Sequence, residues 1–268
     1  MEVFDESFWR QIYVLRHGER KDQVGEQDND PDFVEEIIKQ KNKNCELTEK
    51  GKYQSFVTGR TLHQKFLPPA HKFDEPILVM SSPYLRCVQT AFNLITALKI
   101  NNRKIHKNSI FVCPALKEYQ SKNNKMSYRK LKRELSGIKL SMGVKLKELR
   151  IFRLDKFKLE KNSFETPSQS YVRSRELMEV LKNQSFYLDN FRPKIVICIT
   201  HAFFQLNCML QYAKQMEGLS PIEYCSMSRI AVEGDQAERD EMDVVNNSDH
   251  IEEYIGGIGF GDSNSSKL

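Results

Sequence analysis

The stretch Ile12 to Asp22, IYVLRHGERKD, constrains this chain more than any other, because an apolar run stops abruptly in Arg16, His17, Gly18, Glu19 and Arg20. Ile12, Tyr13, Val14 and Leu15 are apolar without alternation and end near a glycine, the pattern of a strand buried on both faces. Such strands belong to parallel sheets covered by helices, whose carboxyl ends open onto the crevice where ligands bind. A histidine between two arginines at that end is placed to meet an anion. Taken alone, the stretch also fits a charged strand exit with a surface salt bridge.

The rest of the chain repeats the arrangement. Ile77 to Met80 reads as a second buried strand, running into Ser81, Ser82, Pro83, Tyr84, Leu85 and Arg86. Pro83 suits the first turn of a helix extending to about Lys99. Arg86 then projects from that first turn, where unpaired backbone N–H groups already favour an anion. A third strand, Ile110 to Cys113, leads through Pro114 and Leu116 to Glu118. Lys194 to Ile199 is a fourth, ending at Thr200 and His201.

Helices are expected between these strands. Thr48 is the predicted N-cap of one running to about Phe66, with Tyr53, Phe56, Val57 and Thr61 facing inward and Pro68 and Pro69 ending it. Ser168 to Lys182 is a second, with Tyr171, Val172, Leu177, Val180 and Leu181 on its apolar face. Phe203 to Met216 is a third, closed by Gly218. Strands alternating with helices at this spacing predict an α/β fold: a mostly parallel central sheet flanked by helices on both faces.

Gly25 to Asn44 reads as a loop over the crevice. The lysine- and arginine-rich stretch Lys122 to Arg150 reads either as a basic lid or as a solvated helical face. Residues 1–232 are expected to form one domain. From 233 to 268 the composition turns acidic, then Gly/Ser-rich, which predicts a loosely ordered tail with one docked segment around Tyr254 to Phe260.

Composition narrows the function classes. The net charge of +5 over 268 residues permits anionic ligands without pointing to nucleic acid, and no recognisable nucleic-acid module is present. The acidic amino-terminal stretch does not read as a signal peptide, and no apolar run approaches membrane-spanning length. Cys45, Cys87, Cys113, Cys198, Cys208 and Cys225 lack CxxC spacing, which predicts buried free thiols in a reducing compartment, the cytoplasm. No cysteine is followed by arginine six positions later, as a cysteine-based phosphatase signature requires, and no GxxxxGK[ST] phosphate loop occurs. Metal ligands at short spacing are missing, so no metal or other cofactor is expected.

LRHGER, LTEKGKYQSFVTGR, SSPYLRCVQTA, a glutamate after the third strand and ITHA, in that order over roughly residues 10 to 230, resemble the histidine phosphatase superfamily, also called phosphoglycerate mutase-like. RHGER followed by aspartate, and His201 followed by alanine, are most similar to the phosphatase domain of the suppressor-of-T-cell-receptor-signalling proteins and to the ecdysteroid-phosphate phosphatases. The resemblance implies a phosphomonoesterase acting on a phosphotyrosyl protein or a small organic phosphate. It implies His17 as a nucleophile forming phosphohistidine, with Arg16, Arg20 and Arg86 cradling the phosphate and His201 as a further donor. Glu118 would be general acid and then base, which requires a carboxyl held protonated by partial burial. Two alternatives remain: a phosphate-recognising module with little turnover, and a phosphomutase. Arg20 to Gln23 and His201-Ala202-Phe203 depart from the mutase pattern, and Asp22 stands where the acid-phosphatase branch has proline. The remaining histidines, His63, His71, His106 and His250, are expected to be structural or solvent-facing. Oligomerisation stays open, a homodimer included.

Overall fold

The computed structural model describes residues 9–26, 44–69, 74–119, 128–136, 138, 140–149, 165–188, 190–213, 221–233 and 241–249. Seven strands form one sheet: β1 (Trp9–Arg16), β2 (Ile77–Ser81), β3 (Ile105–Val112), β4 (Lys145–Glu148), β5 (Ile195–Thr200), β6 (Met227–Glu233) and β7 (Glu241–Asn247), in the order β4-β3-β2-β5-β1-β6-β7. β1 to β5 are mutually parallel along that order, while β6 and β7 add an antiparallel edge. The mostly parallel α/β sheet expected from the apolar runs is the one observed.

Period-two alternation divides the core between the two faces of the sheet. Tyr13, Leu15, Val79, Ile110, Ile197 and Ile199 pack on one side with helix α2 (Leu85–Ile100), against which helix α1 (Glu49–Thr61) lies in turn. Ile12, Val14, Leu78, Met80, Val196 and Cys198 pack on the other with α4 (Pro167–Lys182) and α5 (Ala202–Tyr212). Both faces of the central strands are therefore covered, which is why their sequences are continuously apolar. All six cysteines are buried and free.

Thr48 caps α1, its side chain accepting from Gly51 N, and the last turn of that helix widens into a π turn, Leu62–Phe66. The buried face of α1 differs from the expected one. Gly51, Gln54, Ser55, Val57, Thr58, Gly59 and Thr61 are buried, whereas Tyr53 and Phe56 are half-buried. The reason is close approach: a Cβ on Gly59 would stand 2.6 Å from Leu94 O of α2, so the contact is made by small residues. In α4, Val172 points outward at 37 % exposure, and Ser170, Arg173 and Ser174 are buried in its place.

Pro83 lies just outside α2, whose N-cap is Tyr84, and Asn44 Oδ1 accepts from the first helical N–H, Leu85, at 2.7 Å. Where it is described, the basic stretch is not a bare solvated face. It forms α3 (Tyr128–Ser136) and then β4, which pairs parallel with β3, and Leu135 is buried in the core. The expected tail also departs from expectation, because 241–247 form β7 on β6. An acidic segment can do this at a sheet edge, where one face stays solvated. Most of the Gly25 to Asn44 loop, His71, Gly218, His250 and Tyr254 to Phe260 lie outside the described residues. Among the described residues no helix is long and apolar enough to cross a membrane.

Candidate active site

β1, β2 and β5 are neighbours in the sheet, and β3 lies next to β2, so their carboxyl ends share one edge. The register Arg16↔Thr200 between β1 and β5 puts the following residues, His17 and His201, side by side. Their ring centroids are 5.3 Å apart. The first turn of α2 delivers Arg86 between them, and a short 3₁₀ turn after β3, Pro114–Leu116, delivers Glu118.

Arg86 is the hub of this group and is 1 % exposed. Its Nε donates to His17 Nε2 at 3.2 Å, and its Nη2 donates to His201 Nδ1 at 3.2 Å and to Glu118 Oε2 at 2.5 Å. His17 Nδ1 lies 2.8 Å from the Gly18 carbonyl, which can only accept, so Nδ1 carries the proton and Nε2 the lone pair. By the same logic His201 accepts at Nδ1 and donates from Nε2 to Ser82 Oγ at 2.9 Å. Both imidazoles are held neutral, far below the usual histidine range. Burial is the main cause for each, and the Arg86 guanidinium adds to it.

The glycine-bearing turn after β1 is clamped by the stretch Thr48 to Gln54. Thr48 N donates to Glu19 O, Thr48 Oγ1 donates to Glu19 Oε1 at 2.8 Å, and Glu19 N donates to Gln54 Oε1 at 3.0 Å. Gly18 N donates to Thr90 Oγ1 of α2. A Cβ on Gly18 would stand 2.5 Å from Gly51 O, so Gly18 and Gly51 permit the contact that fixes His17. The second motif therefore serves the first as its mount.

A cavity of about 710 Å³ opens over the group, with Arg16, His17, Arg20 and Glu118 along one part of its lining. Phe203, Leu206, Met209, Pro221 and Ile222 form an apolar part, and Tyr119, stacked on Phe203 at 4.8 Å, stands at their meeting point. Arg16 donates to Ile222 O from Nη1 and lies 4.0 Å above the Tyr224 ring. Its buried Nε has no hydrogen-bond partner among the described residues. Arg20 spends Nε and Nη2 on Asp22, at 2.8 and 2.5 Å. Burial opposes ionisation of Asp22, but these hydrogen bonds outweigh it and hold the carboxyl below its usual range.

Of the six residues singled out from the sequence, Arg16, His17, Arg20 and Glu118 line the cavity, while Arg86 and His201 are buried behind it in contact with His17. Both ring nitrogens of His17 and of His201 are engaged by protein groups. His63 and His106 lie elsewhere: His63 accepts from Arg103, and His106 stacks between Phe111 and Phe191. The sequence reading missed Ser82 and Thr90, which stand inside or beside a quoted motif, and Tyr224, which no local pattern marks. Among the described residues no group of three or more histidine, cysteine, aspartate or glutamate side chains is placed to hold a metal ion.

No protein-family model matches the sequence, and no curated protein matches it by sequence. Solved structures are similar to it at low identity. The ecdysone phosphate phosphatase of Bombix mori, solved with tungstate, matches with a TM-score of 0.51 and 17 % identity over 89 % of this chain and 93 % of that one. A mycobacterial glucosyl-3-phosphoglycerate phosphatase matches at 0.51 and 19 % identity, over 90 % and 100 % of the two chains. A phosphoglycerate mutase from Bacillus anthracis matches at 0.55 and 12 % identity, over 92 % and 96 %. With these phosphatases and this mutase the chain shares the phosphoglycerate mutase-like α/β fold, the fold of the histidine phosphatases that its ordered motifs resemble.

Proposed function

We propose that the chain is a phosphomonoesterase that works through a phosphohistidine on His17. The observation that carries this reading is the state of that ring: neutral, tied at Nδ1 to a carbonyl, and holding its Nε2 lone pair at the floor of a cation-lined cavity. A phosphate monoester dianion repels nucleophiles until its oxygens are neutralised and it is held in line. Arg16 offers an uncommitted buried Nε, and Arg86 offers a planar fork already centred on the nucleophile. Arg20, braced by Asp22, adds positive charge at the rim, and His201 adds an N–H once the anion takes over one of its present partners.

In the first step Nε2 of His17 forms the P–N bond as the ester P–O bond breaks, and Glu118 delivers a proton to the departing oxygen. The dianion competes for Arg86 Nη2, which releases the Glu118 carboxyl to hold that proton. In the second step the Glu118 carboxylate takes a proton from water, whose oxygen attacks phosphorus and breaks the P–N bond. Inorganic phosphate leaves and His17 returns neutral. Guanidinium groups supply the charge that a metal would otherwise supply, so the reading is metal-independent. The apolar part of the cavity suits the organic portion of a small organic phosphate or a phosphotyrosyl side chain.

A chromogenic aryl phosphate tests this directly. Chelator-treated protein should release the phenol and, on rapid denaturing quench, retain an acid-labile phosphoryl group on His17. His17→Ala should lose at least about three orders of magnitude in rate with the fold intact by circular dichroism. Wild-type turnover in that variant would reject the assignment, and tight phosphate binding without release would favour a recognition module.

A further inference from the structure

The turn that carries Glu118 is held by a residue far from it in sequence. Arg173, on α4, is 0 % exposed and donates from Nη1 to the carbonyls of Ala115 at 2.5 Å and Lys117 at 3.2 Å. Thr200, the last residue of β5, donates from Oγ1 to the intervening carbonyl, Leu116, at 2.9 Å. Three successive carbonyls immediately before Glu118 are thus taken by side chains from two different elements. Arg173 is itself fixed by a two-point pair with Glu165, Nε to Oε1 and Nη2 to Oε2, both at 2.8 Å, and by Ser170 Oγ at 3.1 Å. A buried guanidinium with so many partners is a costly way to hold a turn that needs only packing. Its cost is intelligible where the turn must place one carboxyl to within a fraction of an ångström.

We infer that Arg173 is a positioning residue for proton transfer: by clamping the 115–117 carbonyls it aims Glu118 at the oxygen of the departing alcohol or phenol. The inference rests on the phosphomonoesterase reading and deepens it. Arg173 touches neither His17 nor the cavity lining; its positive charge also helps to keep His201 neutral, and because lysine keeps that charge, Arg173→Lys changes chiefly the clamp on the Glu118 turn. It follows that loss of the clamp slows only those reactions in which the leaving oxygen needs a proton. An ester of a strongly acidic phenol departs without one, whereas phenyl phosphate does not.

The test compares kcat/KM, which reports phosphoryl transfer to the enzyme, for 2,4-dinitrophenyl phosphate and phenyl phosphate in wild type and Arg173→Lys. Lysine keeps the charge but cannot span the Glu165 carboxylate and two carbonyls together. The expected result is a loss of about tenfold or more on phenyl phosphate and less than about threefold on the dinitrophenyl ester. Equal losses on both esters, or none on either, would overturn the inference while leaving the phosphomonoesterase reading in place. Wild-type protein inert toward both would overturn that reading and this inference with it. Should Arg173→Lys fail to fold, Glu165→Gln, which loosens the clamp without removing it, takes the same comparison with a smaller selective loss expected.

Discussion

Arg86 Nε donates directly to His17 Nε2, so the guanidinium proposed to bind phosphate occupies the very lone pair proposed to attack phosphorus. An incoming dianion has to draw Arg86 away from the ring before the bond can form, and one side chain thereby senses the substrate and uncovers the nucleophile. Arg86→Lys keeps the charge but cannot reach His17, His201 and Glu118 at once. Its kcat/KM toward an aryl phosphate should fall by about a hundredfold or more. A loss under about threefold would show that the fork geometry is dispensable.

Stability should fall as pH drops below the ordinary histidine value. The folded rings of His17 and His201 resist protonation, their values lying well below the usual 6.5, whereas the unfolded chain takes up protons there. Between 6.5 and the depressed folded values the unfolded state binds more protons, so stability rises with pH through that window, by at most about 1.4 kcal/mol per pH unit for each ring. Thermal melts from pH 7.5 down to pH 5 should show this slope, and His201→Asn should flatten it. An identical slope in that variant would mean the ring titrates in the folded state as it does in the unfolded chain.

Two glycines separate the cost of fold from the cost of site. Alanine at Gly59 would press 2.6 Å from Leu94 O and 2.8 Å from Ala97 Cβ. Overpacking of about 1–3 kcal/mol should exceed the roughly 1 kcal/mol that alanine gains over glycine in a helix. The protein should melt earlier while the folded fraction keeps its turnover. Alanine at Gly18 meets Gly51 O at 2.5 Å, and there turnover should fall too, because relief of the clash moves His17. Full activity in folded Gly18→Ala would sever the link between that turn and the nucleophile.

Tyr224 should act through Arg16. The guanidinium carbon lies 4.0 Å above its ring, a contact worth about 0.5–2 kcal/mol. Tyr224→Leu should therefore raise KM for an aryl phosphate about two- to tenfold and leave kcat nearly unchanged, with Tyr224→Phe close to wild type. A drop in kcat at constant KM would place the tyrosine in the chemistry instead.

The sheet and the converging residues were legible because each central strand is a short apolar run ending in the polar residue that works at its tip. Leu15 to His17 and Ile199 to His201 read this way, and Arg86 and Glu118 follow the second and third runs within a few residues. The mounts of these residues were not legible. Ser82 is an ordinary serine until β5 brings His201 beside it, and Tyr224 lies in a segment with no periodicity. Arg173 sits in a helix whose apolar spacing suggests Val172 as an inward residue, yet the buried position goes to the arginine because carbonyls await it there. The α1 face was misread for a related reason: apolar spacing reports greasy surfaces, and Gly51, Ser55 and Gly59 bury themselves by being small. β4 and β7 escaped because edge strands need only one apolar face, so Lys145–Glu148 and Glu241–Asn247 look like charged linkers.

The pairing of Arg16 with Thr200 has a further consequence for how the protein acquires its competence. Arg16 and Thr200, 184 positions apart, meet only when the last parallel strand slots between the first two, so no stretch ending before β5 can bring His17 and His201 together. A shift of one position in that pairing would turn the second imidazole toward the wrong side of the sheet. The meeting of the two imidazoles thus arrives in a single event rather than accumulating by degrees.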